Sequence, residues 1–287
     1  MIQERWMIFA EVLLMSTEID AGNTGLLSRD KRNIAIVLAY DGTDFSGWQR
    51  LGGGARTVQK TLEEALSSVL CERINVIGSG RTDAGVHAEG QCANFWTSVD
   101  MPRGLLVKKL DARLPPDLCC VGARVAKSSF HARYRVKTKT YAYRFHDGPV
   151  RDPFEARWSF HTQGRLDEAA MEKACAAFVG THDFRAFSNA KEDAKDFVRN
   201  IVAVDVKRSG DLVELHVSAD GFLYNQVRIM AACALAAGLG SGAQTPIAAL
   251  LESAERSSVP GALGAYGLRL LRVLYDDDDF LDAEPER

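Results

Sequence analysis

An α+β fold in two halves, with mainly antiparallel sheets, is predicted for this chain of 287 residues. Two observations carry the prediction. Apolar patterning runs strand, helix, strand, strand, helix, strand between Asn33 and Val125. The same order returns, without repeating the sequence, between Lys137 and Tyr275. The composition, 46% apolar and 25% charged, is that of an ordinary globular protein, and the length suits about two domains. Such an element order builds two ferredoxin-like (RRM-like) halves, and the cleft between them is where a site is expected.

Ile34 to Tyr40 is a continuous apolar run before Asp41-Gly42, a buried strand entering a turn. Val58, Leu62, Ala65, Leu66 and Val69 share one helical face behind Thr57, whose hydroxyl suits an N-cap. Short strands fit 74–78 and 91–97, a helix 104–111 and a strand 119–125. In the second half a strand at 137–145 precedes a helix at 167–179, with Asp167 as N-cap and Gly180 past its end. Strands at 201–207 and 212–218 flank Ser209-Gly210-Asp211, a hairpin pattern. Helices at 222–239 and 247–257 follow, then a strand at 268–275. The expected organisation is an extension outside the fold through residue 32, halves at 33–130 and 131–275, and an acidic disordered tail at 276–287.

No run of about 18 apolar residues is present, so no membrane-spanning helix is expected. The apolar stretch Met7 to Met15 is interrupted by Glu11 and precedes no small-residue cleavage site, unlike a signal peptide. Six cysteines form neither a CxxC pair nor a zinc spacing and read as reduced thiols of a cytoplasmic protein. The formal charge of −3 would argue weakly against nucleic acid, but residues 276–287 hold seven acids and one base. Between residues 31 and 275 the balance is +6.

Two tempting motifs fail. Gly78-Ser79-Gly80-Arg81-Thr82-Asp83 follows a strand as a dinucleotide loop does, but Asp83 falls where the third glycine is needed. Asp41-Gly42-Thr43 follows a strand as in phosphohydrolases with an aspartate nucleophile, but that nucleophile's position is Ala39. Asp41-Gly42 reads as a turn.

Three stretches carry chemistry. Leu118 to His146 contains seven lysines and arginines, Lys137 and Lys139 among them, and no acid, with Phe130, Tyr134, Tyr141, Tyr143 and Phe145 interleaved. Cations suit phosphates and aromatic faces suit unstacked bases, as in single-stranded RNA recognition; the bland alternative is a solvated basic edge whose aromatics complete the core. In Gly80-Arg81-Thr82-Asp83-Ala84-Gly85-Val86-His87 two glycines let the backbone pass close to a ligand beside Asp83, although most such aspartates merely stabilise a turn. In Ala219 to Arg228, Arg228 sits on an otherwise apolar helix and needs either a carboxylate partner or a route to solvent.

Together these stretches identify the chain as similar to the tRNA pseudouridine synthase A family from about Asn33 to Tyr275. Further markers are Tyr40-Asp41-Gly42-Thr43 with Gly47-Trp48-Gln49, Arg56-Thr57-Val58-Gln59, Phe130-His131-Ala132-Arg133, Lys139-Thr140-Tyr141-Ala142-Tyr143 and Gly180-Thr181-His182-Asp183-Phe184. The resemblance implies an isomerase that converts uridine to pseudouridine at positions 38, 39 and 40 of the tRNA anticodon stem-loop. It assigns Asp83 as the catalytic carboxylate, Arg228 as its partner, and Tyr141 as the contact of the target base. Arg81 would help hold the flipped nucleotide, with Arg133, Lys137 and Lys139 as further substrate-binding cations. A homodimer, with no metal and no organic cofactor, is implied. The ends and the loosely matching Val259 to Gly267 depart from the pattern.

The chemistry suits these residues. The C1′–N1 bond breaks and a C1′–C5 bond forms, with no net oxidation and no group transferred. A carboxylate kept ionised in a dry pocket can attack carbon or take a proton, and an opposing arginine favours that ionised form. Attack at C1′, attack at C6 and deprotonation of the sugar remain equally open, and the Tyr141 hydroxyl is a candidate acceptor for the C5 proton. The alternative is a non-catalytic RNA-binding protein of the same fold, which would need none of Asp83, Tyr141 and Arg228.

Overall fold

A computed structural model describes residues 27–189, 196–240 and 245–281. Strand β1 (Leu27–Tyr40) leads to helix α1 (Val58–Leu70), the two-residue β2 (Ile77–Gly78) and the long β3 (His87–Val99). Helix α2 (Arg103–Asp111) and β4 (Leu118–Ala126) complete the first half. The second half comprises β5 (Thr138–His146), β6 (Phe160–His161), α3 (Glu168–Cys175), β7 (Gly180–Asp183), β8 (Val198–Ser209), β9 (Leu212–Ala219), α4 (Gln226–Gly238), α5 (Ile247–Ser253) and β10 (Leu268–Leu274).

Local chemistry explains most of these boundaries. The Thr57 hydroxyl accepts from the Lys60 amide and the Asp167 carboxylate from the Ala170 amide, so both expected N-caps are made. Helix α1 buries Val58, Leu62, Leu66 and Leu70 in one core cluster with Ile34, Ile36, Leu38 and Phe95. Burying each such side chain contributes about 1.5–3 kcal/mol. Helix α4 starts four residues later than the apolar pattern predicts. Asn225, in the left-handed region at φ 63°, turns the chain just before it. Helix α5 likewise ends early, at a left-handed Ala254. Strands β6 and β7 were not expected from the pattern, being two and four residues long.

All the described strands lie in one sheet, ordered β4-β1-β3-β10-β5-β9-β8-β7, with β2 on β3 and β6 on β5. Pairing is antiparallel except between β10 and β3 and between β5 and β6. The seam between the halves is β10, which pairs with β3 through Arg269 and Leu270 and with β5 through Leu268 to Leu274. The last strand of the described residues therefore joins the strand that follows the Asp83 loop to the strand that carries Tyr141.

Both expected ends need correction. Strand β1 begins at Leu27, paired with Val99, and Arg32 forms an ion pair with Asp100, so 27–32 belong to the fold; residues 1–26 lie outside the described residues. The acidic tail is not disordered from residue 276. Asp277–Asp279 form a 3-10 turn, the Lys127 amide donates to the Asp279 carbonyl, and Phe280 packs on Phe130 and Tyr275. The apolar Phe280 and a row of basic partners hold this segment down; residues 282–287 lie outside the described residues.

Candidate active site

The Asp83 loop joins β2 to β3 and is shaped by the turn after β1. Trp48 donates its amide to the Thr82 carbonyl at 3.0 Å, and the Tyr40 and Thr82 hydroxyls share a hydrogen bond of 2.8 Å. Two glycines permit this contact. A Cβ on Gly42 would lie 2.0 Å from the Val86 carbonyl oxygen, and Gly47, at φ +88°, would place one 2.8 Å from the Thr82 oxygen. Asp41 is a turn residue, as expected, accepting from the Thr43 amide and hydroxyl. His87 is engaged by backbone groups: its Nδ1 accepts from the Gly42 amide and its Nε2 donates to the Tyr266 carbonyl. Burial lowers its pKa, against the pull of Asp41, which suits that neutral tautomer.

Asp83 Oδ2 lies 3.5 Å from a guanidinium nitrogen of Arg228. The Asp83 side chain keeps 33% of its exposure, so the carboxylate stays partly open to solvent. Burial raises its pKa above the ordinary aspartate value, and the charge and hydrogen bond of Arg228 oppose that rise. Arg228 is itself held. Its Nε donates to the Leu263 carbonyl at 2.6 Å and another nitrogen to the Asn225 side-chain oxygen at 2.9 Å. The sequence left Arg228 a choice between a carboxylate partner and solvent, and the carboxylate is Asp83.

Tyr141 projects from β5 and is buried, its ring edge-to-face with Phe222 at 5.2 Å. Burial first, then Tyr40 and Asp83, hold its phenol pKa above the ordinary value. Asp83 and Arg228, drawn from distant parts of the sequence, thus form a pair, and Phe222, six residues before Arg228, packs on Tyr141.

The basic residues fare differently. Arg81 is exposed and donates to the Gln49 side-chain oxygen at 3.1 Å, beside the loop. Arg133 is exposed. Lys137 lies ahead of β5 rather than on it and pairs with Asp276. Lys139 turns inward and donates to the Ser79 carbonyl at 2.7 Å. Tyr143 and Phe145 are fully buried core residues, so the bland reading holds for these two aromatics. Sequence reasoning missed Tyr40, Thr82, Asn225 and Phe222 as site residues, along with the Leu263 carbonyl. The loop 259–267, whose pattern was loose, supplies through Leu263 a backbone acceptor for Arg228, a role that leaves no trace in side-chain identity.

The sequence pattern of a family described as tRNA pseudouridine synthase matches residues 36–135 and 174–276. A tRNA pseudouridine synthase A of Acetivibrio thermocellus is 36% identical over 244 residues, covering 85% of this chain and 100% of that relative. One from a Bacillus species is 39% identical over 238 residues, covering 83% of this chain and 97% of the relative. A tRNA pseudouridine synthase A 2 of Clostridium perfringens is 35% identical over 244 residues, covering 85% and 100%. The matched segments contain Asp83, Tyr141's neighbours in the sheet and Arg228, and the chain belongs to the tRNA pseudouridine synthase family.

Proposed function

We propose that this site isomerises uridine to pseudouridine in tRNA, with ionised Asp83 as the group that acts on the extruded nucleotide. The observation that carries the reading is the Asp83–Arg228 pair at 3.5 Å, half-desolvated yet partly open to solvent. Turning the target base out of a stem costs a few kcal/mol, and a pre-formed slot offsets that cost. Tyr141 and Phe222 form an aromatic wall for the base. The C1′–N1 bond breaks, the uracil rotates, C5 bonds to C1′, and the proton lost from C5 is balanced by one gained at N1. The raised Tyr141 pKa favours a neutral phenol that packs and donates, rather than one that takes the C5 proton.

We assign the anticodon stem-loop, at tRNA positions 38 to 40, as the substrate region on the strength of the motif resemblance. A homodimer belongs to the same reading, as does a cytoplasmic setting, which the free cysteines suit. We read both halves as ferredoxin-like, supported by the matching strand orders β4-β1-β3-β2 and β10-β5-β9-β8. Tritium release from tRNA carrying 5-tritiated uridine tests the activity: the native protein releases tritium and Asp83→Ala does not. Release by Asp83→Ala at the native rate would remove Asp83 from the chemistry.

A further inference from the structure

Lys139 stands out among the cations of the basic stretch because its ammonium points into the protein, against the stem of the Asp83 loop. It donates to the Ser79 carbonyl at 2.7 Å, across sixty residues of sequence. The other side of that stem is fixed by β3. The Ser79 amide donates to the Cys92 carbonyl at 2.8 Å, the Ser79 hydroxyl meets the Gln91 side-chain oxygen at 2.6 Å, and Gln91 donates to the Gly80 carbonyl at 3.1 Å. Ser79 and Gly80 are therefore clamped between β3 and the tip of Lys139, four and three residues before Asp83. A Cβ at Gly80 would stand 2.8 Å from the Lys139 nitrogen and 3.9 Å from its Cε, with no other heavy atom within 4 Å beyond the adjoining residues of the chain. The glycine makes room for this ammonium.

We infer that Lys139 is a positioning residue for Asp83: it acts by locking Ser79–Gly80, rather than by meeting an RNA phosphate. Lys139 and Tyr141 are two apart on β5 and share a face, so one strand braces the loop and presents the base contact. The bond also crosses between the halves, tying the stem of a first-half loop to a second-half strand. Its strength comes from a charged donor on a carbonyl in a desolvated place. Burial, reinforced by the neighbouring Arg133, lowers the Lys139 pKa to about 8. That is the direction expected of an ammonium withdrawn from solvent. A loop displaced by about 1 Å can cost on the order of a hundredfold in rate without loss of binding.

The inference rests on Asp83 as the acting carboxylate, and the test separates the two. Single-turnover rates at saturating enzyme, with 5-tritiated tRNA, are measured for Gly80→Ala, Lys139→Met, the double variant and Asp83→Asn, together with tRNA affinity. Each single variant is expected to slow the saturated rate by about tenfold or more, and the double to be no slower, within about twofold, than the worse single. Affinity should stay within about threefold, which also shows that the variants fold. If Lys139→Met does not fold, Lys139→Gln, one bond shorter, replaces it in the cycle. Independent, multiplying losses from Gly80→Ala and Lys139→Met would overturn the inference. So would a Lys139→Met variant with a native saturated rate but weaker, less salt-dependent binding, the mark of a phosphate ligand. An active Asp83→Asn instead defeats the underlying reading, whatever the cycle shows.

Discussion

The Asp83 loop and the basic stretch of 124–139 both offer charge to a polyanionic substrate, and they treat it in opposite ways. In the loop one carboxylate faces one guanidinium, and the surroundings of both are fixed: the neighbouring Thr82 is held by the Trp48 amide and the Tyr40 hydroxyl, and Arg228 by the Leu263 carbonyl and the Asn225 side chain. In the basic stretch Arg124, Arg135 and Lys137 face Asp277, Asp279 and Asp276 in turn, and Lys139 is taken by a carbonyl. The difference teaches that residue types read well where the backbone dictates them, and poorly where only a count of charges does. Glycines at 42 and 47 are forced by contacts of less than 3 Å to neighbouring carbonyl oxygens. A run of cations carries no such constraint, and its carboxylate partners arrive from more than a hundred residues away.

The sharpest way to break the contrast is at Asp83. Asp83→Asn should slow turnover by at least about a thousandfold while tRNA binding stays within a few-fold, because affinity comes largely from phosphate contacts. Tritium release and filter binding measure the two; appreciable turnover after deamidation is excluded would remove the carboxylate's role. The pH profile adds a sign. The active form is the carboxylate, and its pKa is raised, so kcat/KM should fall on acidification from above the ordinary aspartate value. Arg228→Met removes the attraction that opposes burial, so the acid limb should move further up in pH. A limb that moves down would show that Arg228 does not act on Asp83.

A smaller effect is expected behind Arg228. Asn225 supplies both a left-handed residue and the acceptor for the guanidinium. Asn225→Gly keeps the backbone at ease and removes only the acceptor, and should slow the saturated rate by about tenfold with little loss of stability. Asn225→Ala adds left-handed strain of about 1–2 kcal/mol, read in denaturant unfolding. Equal stability in the two variants would mean that the chain relaxes out of the left-handed region.

These regions also show what was legible in the sequence. Helices α1 and α3 were predicted with their caps because Thr57 and Asp167 act on amides three residues away. The motifs that hold Asp83 and Arg228 were legible in the sequence, and the structure pairs the two side chains. The seam at β10 was not legible, since apolar alternation in Leu268 to Leu274 reveals a strand but not its two partners. The start of α4 was misjudged because Phe222 and Leu223 continue the apolar pattern, whereas the left-handed Asn225 sets the boundary. The acidic end was misread because four aspartates outweighed one phenylalanine in the composition, while in the fold the phenylalanine anchors them.

That anchor gives a stability test. Phe280 packs against Phe130 at 5.2 Å between ring centroids and lies under the Arg124 guanidinium at 3.9 Å. It keeps part of its surface in solvent, so Phe280→Ala should cost about 2 kcal/mol, below the 3–5 typical of a fully buried ring. Denaturant unfolding measures it. A change below about 0.5 kcal/mol would show that the segment from Asp276 docks through its charges alone.

The smallest effect separates those charges from the anchor. Asp276→Asn with Asp277→Asn leaves Phe280 and the buried Asp279 in place and removes two carboxylates that face Lys137 and Arg124. Both lost pairs have solvent-exposed members, so thermal stability should hardly change. If Lys137 meets RNA phosphate, its aspartate competes with the substrate for the same ammonium, and the variant should bind tRNA more tightly. The gain should be no more than about threefold, greatest at low ionic strength, and gone near 0.15 M salt, where charges beyond about 8 Å are screened. Freed cations also release more counterions from the RNA, so the log–log salt slope should steepen by up to about one for each new phosphate contact. The saturated rate should not move, because neither aspartate touches the Asp83 loop. Unchanged affinity at every salt would show that Lys137 and Arg124 serve only to hold the C-terminal segment, and would leave Arg81, beside the Asp83 loop, as the next cation to test.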